Sequence, residues 1–250
     1  LIMGLVKDEI PESKLPENSP KYLAMTQGER FIHTNNCLGC HKIDGEGGAI
    51  WPSTASWLEE IAGSENSDDL SVVQSFSPPI LNTQGRKVQP DWLLNWFQNI
   101  SMIRPHLQVR MPSYDFSHQE WNSVISYFQS KDDLFLKYEN PHIFTKSSNS
   151  YKAGEKIQEE GACINCHFYG EMKPRQDALT WAPNLVLTKE RLRPEWLIEW
   201  FNNPQEVMPG TKMPAPYIPV DEPIADVKEY WGDEVALFIG DTTGMLYGLI

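Results

Sequence analysis

The feature that most constrains this 250-residue chain is a Cys-x-x-Cys-His motif that occurs twice. All four cysteines lie in the two motifs, which are Cys37, Cys40 and His41, and Cys163, Cys166 and His167. The motif is typical of covalent haem c attachment, because two thiols one helical turn apart can bond the haem vinyl groups while the adjacent histidine reaches the iron. A thioredoxin-like redox pair needs no following histidine, and a zinc site would need the two motifs to converge. The repeated motif therefore favours two haem c groups over these alternatives and over a disulfide framework.

The motif belongs to a longer internal repeat. Gly28 precedes Cys37 by the same spacing as Gly154 precedes Cys163. Further landmarks recur in the same order, namely Pro79-Ile80-Leu81 and Pro183-Asn184-Leu185, then Pro90–Phe97 and Pro194–Phe201, then Met111-Pro112 and Met213-Pro214. We therefore predict two tandem modules at 22–130 and 151–250, with an N-terminal extension at 1–21 and a linker at 131–150.

The charge balance limits the partners of the chain. Thirty-four acidic against 21 basic side chains give a formal net charge of −13. Such a surface repels phosphate backbones and anionic headgroups, so we predict no nucleic acid partner and a protein partner that is neutral or basic where it docks. No apolar run of about 18 residues occurs, so any membrane association is expected to come from segments beyond this sequence or from partner subunits.

Together these landmarks resemble those of bacterial class I cytochromes c in their tandem, diheme, cytochrome c4-like form. The resemblance covers residues 22–128 and 151–250. It implies an all-α fold in which each module is a small helical bundle around a covalently attached haem, with its first helix crossing its last. The helices expected are 22–34, a segment from Pro90 and 117–129 in the first module, and 151–160, a segment from Pro194 and one from near Thr243 in the second.

The resemblance also implies the ligands of the two irons. His41 and His167 are expected to be the proximal ligands. Met111 and Met213, each at the start of a Met-Pro turn after the tryptophan-rich segment, are the expected distal ligands, whose sulfur would keep the iron low-spin and raise its potential. Met208 is also followed by proline and competes for the second haem, and we favour Met213 because its loop matches the family better.

Residues of the haem pocket follow from the same resemblance. In that family the carbonyl of a loop proline accepts a hydrogen bond from the proximal histidine, and Pro79 and Pro183 occupy its position. Trp92 and Trp196 are expected near the haem edge, where an indole N–H can meet a propionate, and core packing is an equal alternative. The remaining histidines have no counterpart in the other module and are interpreted as surface or satisfied polar residues rather than ligands: His33, His106, His118 and His142.

The two modules differ in two segments. Residues 42–78 are predicted to be a long Ser/Gly/Asp-rich loop in the first module, and residues 218–241 an irregular insert in the second. Both are candidate docking surfaces for a partner. Growth of a surface loop without a function is the alternative, since such loops tolerate insertions.

These features predict an electron-transfer protein rather than an enzyme, with two His/Met-ligated haems and no small-molecule substrate. The expected setting is a respiratory or photosynthetic chain, as a carrier or as an extramembrane subunit of a membrane complex. Haem attachment in the resembled family implies export to the periplasm or the outer face of the cytoplasmic membrane. The sequence begins at Leu1 and stops within a predicted helix, so we expect that a leader or anchor has been removed. The alternatives are a diheme cytochrome c peroxidase-like enzyme, which needs an open distal position, and a haem-bearing interaction module.

Overall fold

Helices dominate the computed structural model, which describes residues 19–134 and 147–249. The prediction of an all-α fold is confirmed, and the paired strands of this described part are the two-residue β1 (Lys42–Ile43) and β2 (Glu46–Gly47). The helices of the first half are α1 (Pro20–Thr34), α2 (Trp51–Ala62), α3 (Ser64–Asp68), α4 (Leu70–Phe76), α5 (Gln84–Lys87), α6 (Pro90–Gln98) and α7 (His118–Lys131). Those of the second half are α8 (Asn149–Glu160), α9 (Thr188–Arg191), α10 (Pro194–Asn202), α11 (Pro204–Val207), α12 (Ile224–Tyr230), α13 (Asp233–Ala236) and α14 (Thr242–Tyr247).

The first half is built on the crossing of α1 and α7. The side chains of Ser19 and Ser117 cap the two N-termini, and Ser117 forms a complete capping box with Glu120. At the crossing, a Cβ atom on Gly28 would lie 2.2 Å from the Cβ of Tyr127. The absence of a side chain at this position therefore allows the two helices to touch.

The second half repeats this arrangement with α8 and α14. A Cβ atom on Gly154 would lie 1.8 Å from the carbonyl oxygen of Gly248, and one on Gly248 would lie 1.8 Å from that of Ser150. Gly28 and Gly154 are corresponding residues of the sequence repeat. Glycine is thus required at the same helix crossing in both halves.

The two halves meet at corresponding residues. Val88 and Leu192 form an antiparallel bridge. The N–H of Gln89 donates to the carbonyl of Arg191 at 2.9 Å, and the N–H of Arg193 donates to the carbonyl of Lys87 at 3.0 Å. The bridge directly precedes α6 and α10. Buried side chains from both halves form one apolar cluster around it, which includes Leu93, Phe97, Trp121, Trp196 and Leu197. The tryptophan-bearing helices α6 and α10 therefore pack on a shared core.

The two segments in which the halves differ are more regular than predicted. The predicted loop 42–78 contains α2, α3 and α4, which with nearby residues bury Trp51, Leu58 and Phe76 in a separate apolar cluster. The irregular insert predicted at 218–241 contains α12 and α13, which bury Val227 and Val235. Both predictions were wrong because they gave more weight to the polar residues of these segments than to the apolar residues that pack inward from one side of each helix.

Parts of the predicted organisation lie outside the described residues. These include residues 1–18 of the predicted N-terminal extension and residues 135–146 of the predicted linker, with His142. Within the described ranges, α7 extends to Lys131 and α8 already begins at Asn149. No helix in these ranges is long and apolar enough to cross a membrane.

Candidate haem-attachment sites

The backbone of the two Cys-x-x-Cys-His motifs has the same shape. Each motif starts after a residue in the left-handed conformation, Asn36 with φ of 52° and Ala162 with φ of 53°. A short 3₁₀ turn follows, over Cys37–Gly39 and Cys163–Asn165. The N–H of each motif histidine donates to the carbonyl of the first motif cysteine, at 2.9 and 3.0 Å. Both motifs therefore place two thiols and an imidazole on one tight turn.

Substitution of Ala162 by glycine is expected to stabilise the second half. An alanine in the left-handed region is strained by about 1–2 kcal/mol, whereas asparagine tolerates this region and glycine is free in it. After the greater flexibility of unfolded glycine is allowed for, A162G should raise the free energy of unfolding by about 0.5–1 kcal/mol. Urea denaturation of the haem-containing protein measures this. The matched control N36G should give no comparable gain, and equal effects of both variants would contradict the assignment of strain to Ala162.

Each motif histidine is held by the carbonyl of a loop proline. Nδ1 of His41 lies 2.9 Å from the carbonyl oxygen of Pro79, and Nδ1 of His167 lies 2.8 Å from that of Pro183. A carbonyl oxygen only accepts, so Nδ1 carries the proton in both rings and Nε2 keeps its lone pair. Burial lowers the pKa of both imidazoles, which favours this neutral form. Each ring is thereby prepared to offer Nε2 to a metal.

The environment of the cysteines does not suit a redox-active pair. The four cysteines are unpaired and half-buried, and burial raises the pKa of Cys37 and Cys163. A reactive redox thiol has a lowered pKa, so these thiols argue against the thioredoxin-like alternative. In the part of the chain that the structure describes, no group of three or more His, Cys, Asp or Glu side chains is arranged to hold a metal ion. Protein ligands for a structural zinc ion are therefore not assembled there.

The tryptophan-rich helices α6 and α10 both begin with proline and stack two indoles. The ring centroids are 6.0 Å apart for Trp92 and Trp96, and 5.1 Å apart for Trp196 and Trp200. Trp92 is half-buried and packs against the shared core. The indole N–H of Trp196 is buried and has no hydrogen-bond partner among the described residues. Since a buried donor without an acceptor costs free energy, this N–H fits an acceptor from outside the polypeptide, such as a haem carboxylate.

The methionines of the Met-Pro turns lie near these helices. The indole N–H of Trp200 donates to Sδ of Met213 at 2.7 Å. Met111 is half-buried against the shared core. Met208, the competitor, instead lines a small cavity with Asn82 of the first half. Met213 thus contacts a tryptophan of α10 and Met111 packs against the shared core, whereas Met208 faces the other half.

Three basic side chains lie within electrostatic reach of one another, and two of them, Arg104 and Arg191, also act on the motif histidines. Burial lowers the pKa of Lys87 to about 7 and those of Arg104 and Arg191 to about 10. Besides burial, the charge of Arg104 lowers the pKa of His41, and that of Arg191 lowers the pKa of His167. None of the three cations forms an ion pair with a carboxylate of the described residues. Haem carries carboxylates, so these cations fit the group that the motifs imply.

The histidines outside the motifs do not behave alike. His33 and His118 are exposed, and Nε2 of His118 lies 3.0 Å from the amide nitrogen of Gln98. His106 was predicted to be a surface or satisfied residue, and this is wrong, because both ring nitrogens are buried without a partner in the described ranges. Its ring stacks on Phe168 with a centroid distance of 6.0 Å. Phe168 belongs to the second half, so this burial depends on a contact that sequence spacing does not reveal.

Comparison with known proteins gives two partial similarities. The chain is 24% identical to the C subunit of nitric oxide reductase from Halomonas halodenitrificans over 132 residues, which are 52% of this chain and 73% of that protein. It is 31% identical to cytochrome c oxidase subunit 2 of Bacillus subtilis (strain 168) over 81 residues, which are 29% of this chain and 23% of that protein. These similarities indicate a cytochrome-related protein. Both relatives are subunits of oxidoreductases, which points to electron transfer. No family model and no solved structure matches the chain.

The basic residues are the functional candidates that sequence reasoning missed. Lys87 and Arg191 stand three positions before the prolines that open α6 and α10, and this recurrence is a signal that the sequence contains. Arg104 has no such counterpart. Its guanidinium donates to the carbonyls of Ser75 and Ser77 at 2.9 and 2.8 Å, at the end of α4. The helical segment of the first half thus positions Arg104, and no sequence pattern indicates this contact.

Proposed function

We propose that this chain is a diheme c-type cytochrome that transfers single electrons. Each haem would be held covalently by the two thiols of one motif, and its iron by the motif histidine and the methionine of the Met-Pro turn in the same half. The residues that would hold the irons are His41 with Met111 and His167 with Met213. Two such haems would supply one-electron redox chemistry without a substrate, so the polypeptide would set their potential and their choice of partner.

The observation that carries this proposal is the matching support of the two motif histidines. In both halves a proline carbonyl holds Nδ1 and leaves Nε2 with its lone pair. The two thiols lie on the same turn as the imidazole, and this arrangement occurs twice. A proximal haem ligand needs this tautomer and this fixed ring orientation.

The proposed setting is a respiratory or photosynthetic electron-transport chain. The protein would act there as a carrier or as an extramembrane subunit of an oxidoreductase complex, in the periplasm or on the outer face of the cytoplasmic membrane. The similarity to subunits of a nitric oxide reductase and a cytochrome c oxidase supports this setting. Membrane attachment would come from partner subunits or from segments outside this sequence.

Haem content and the optical spectrum test the proposed function. We expect two haem c groups per chain that resist acid extraction, because thioether bonds are covalent. We also expect a low-spin spectrum with the weak long-wavelength band of methionine-ligated ferric haem in both redox centres. A high-spin haem that binds carbon monoxide when reduced would contradict the electron carrier and would indicate peroxidase-like chemistry.

The net charge of −13 predicts that electron exchange with a basic partner slows as salt is added. At low ionic strength the acidic surface attracts such a partner, and salt screens this attraction over a distance of about 10 Å at 0.1 M. Stopped-flow oxidation by a small basic cytochrome c should therefore slow about tenfold between low and physiological salt. Oxidation by an uncharged reagent serves as the control and should not change. A rate with the basic partner that is independent of salt would contradict this electrostatic attraction and would favour a permanent subunit.

A further inference from the structure

Three cations of the chain lie together where the two halves meet. Lys87 and Arg191 are the last residues of α5 and α9 and flank the bridge between Val88 and Leu192 from opposite sides. Besides burial, the charges of Arg191 and Arg104 both lower the pKa of Lys87, which shows that the three groups are within electrostatic reach of one another. The cluster therefore contains charges from both halves.

Without a compensating anion, this cluster of three cations is electrostatically unfavourable. Removing a cation from water costs several kcal/mol, and like charges nearby add to that cost unless an anion or hydrogen-bond acceptors compensate. Arg104 has two backbone carbonyls, but Nε of Arg191 is buried without an acceptor in the described ranges. No carboxylate of those ranges pairs with any of the three. An anionic group that does not belong to the described polypeptide is therefore expected here.

The position of the Lys87 ammonium shows which half of the chain its charge lies in. By the sequence repeat, Lys87 corresponds to Arg191, which lies near the histidine of its own half. The Lys87 ammonium instead crosses to the second half and lies 4.8 Å from the ring centroid of Trp196. The indole N–H of Trp196 is a buried donor without a partner among the described residues. Lys87 and Trp196 thus offer a cation and an N–H donor at one place in the second half.

We propose that Lys87, a residue of the first half, is a counter-charge for the carboxylates of the haem bound by the second half. Arg191 adds a second cation from within that half, and Arg104 is the corresponding charge beside His41 of the first half. This inference rests on the proposed function. A nearby positive charge destabilises ferric iron more than ferrous iron. Lys87 therefore raises the reduction potential of the second haem more than that of the first.

The test is a redox titration of the haem-containing K87M variant at a fixed, slightly acidic pH. We expect the potential of the second haem to fall and that of the first haem to fall less. K87R, which keeps the charge, should restore the wild-type potential. The matched control is K189M, which removes the same charge from an exposed side chain two positions from Arg191 and should leave both potentials close to wild type. Removal of the sulfur ligand in M213A assigns the redox step that belongs to the second haem.

The outcomes separate this inference from the proposed function. If K87M shifts the second haem no more than K189M does, or shifts the first haem more, the assignment of Lys87 is overturned while a diheme protein remains. A wild-type protein without two methionine-ligated haems overturns the proposed function before any variant is made. If K87M does not fold, K87Q gives the same test, because its polar side chain removes the charge with less disturbance of the contact between the two halves.

Discussion

Replacement of Met213 by alanine is expected to lower the reduction potential of one haem by on the order of a few hundred millivolts and to open its iron to carbon monoxide. The thioether favours ferrous iron, and alanine offers no atom to replace it. The indole N–H of Trp200, which donates to the sulfur of Met213, loses its acceptor in this variant. The long-wavelength band of ferric haem should fall to half of its intensity, since the haem of the first half keeps Met111.

Met208 provides the matched control for this experiment. It is also followed by proline and lies only five positions away, but it lines a cavity with Asn82 of the first half. M208A should leave both potentials and the absorption band unchanged, and M111A should produce the loss in the other haem. A loss of the band in M208A with none in M213A would assign the second distal ligand to Met208.

Replacement of Gly154 by alanine is expected to reduce the free energy of unfolding by about 3 kcal/mol, which corresponds to a fall of about 6–12 °C in the melting temperature. The new Cβ atom would lie 1.8 Å from the backbone carbonyl oxygen of Gly248, so no rotation of a side chain can relieve the clash. The helices α8 and α14 must separate, and the apolar contacts of Ala153 and Ile157, which are buried beside Gly154, would be lost with them.

The corresponding change in the first half should be milder. A Cβ on Gly28 would lie 2.2 Å from the Cβ of Tyr127 and 2.9 Å from the carbonyl oxygen of Ser123. These overlaps are smaller than those at Gly154, so α1 and α7 need to separate less. The exposed neighbours in the sequence provide controls, and E29A and E155A should change the melting temperature little. A G154A protein as stable as E155A would show that α8 and α14 do not cross at this residue.

Much of the helical framework can be predicted from local pattern. Proline at the first position and tryptophans four residues apart predict α6 and α10, and the apolar stripe within 117–129 predicts α7. These elements follow from contacts within a few residues of each other in sequence. The helices α2 to α4 do not, because Gly, Ser and Asp residues interrupt the apolar pattern and the burial of their apolar residues depends on a separate cluster that forms only in three dimensions.

The residues of the candidate site also fall into those that the sequence predicts and those that it does not. The spacing of each motif predicts the cysteines and the histidine, and resemblance supplies the proline whose carbonyl lies 2.9 Å from Nδ1 of His41. The cations cannot be found by spacing alone. Lys87 matters because its ammonium reaches Trp196 in the other half, and Arg104 because carbonyls at the end of α4 hold it. Long-range placement of this kind has no local signature in the sequence.

The bridge between Val88 and Leu192 also bears on how the chain arose. Because it joins corresponding residues of the two repeats, each side contributes the same pair of backbone groups, as in the self-complementary contact of a symmetric homodimer. A single-repeat ancestor would carry both sides of this contact on one surface, so two copies would associate through it. Fusion of duplicated genes would then preserve an existing dimer and free the two copies to diverge, as the lysine at position 87 and the arginine at position 191 have done.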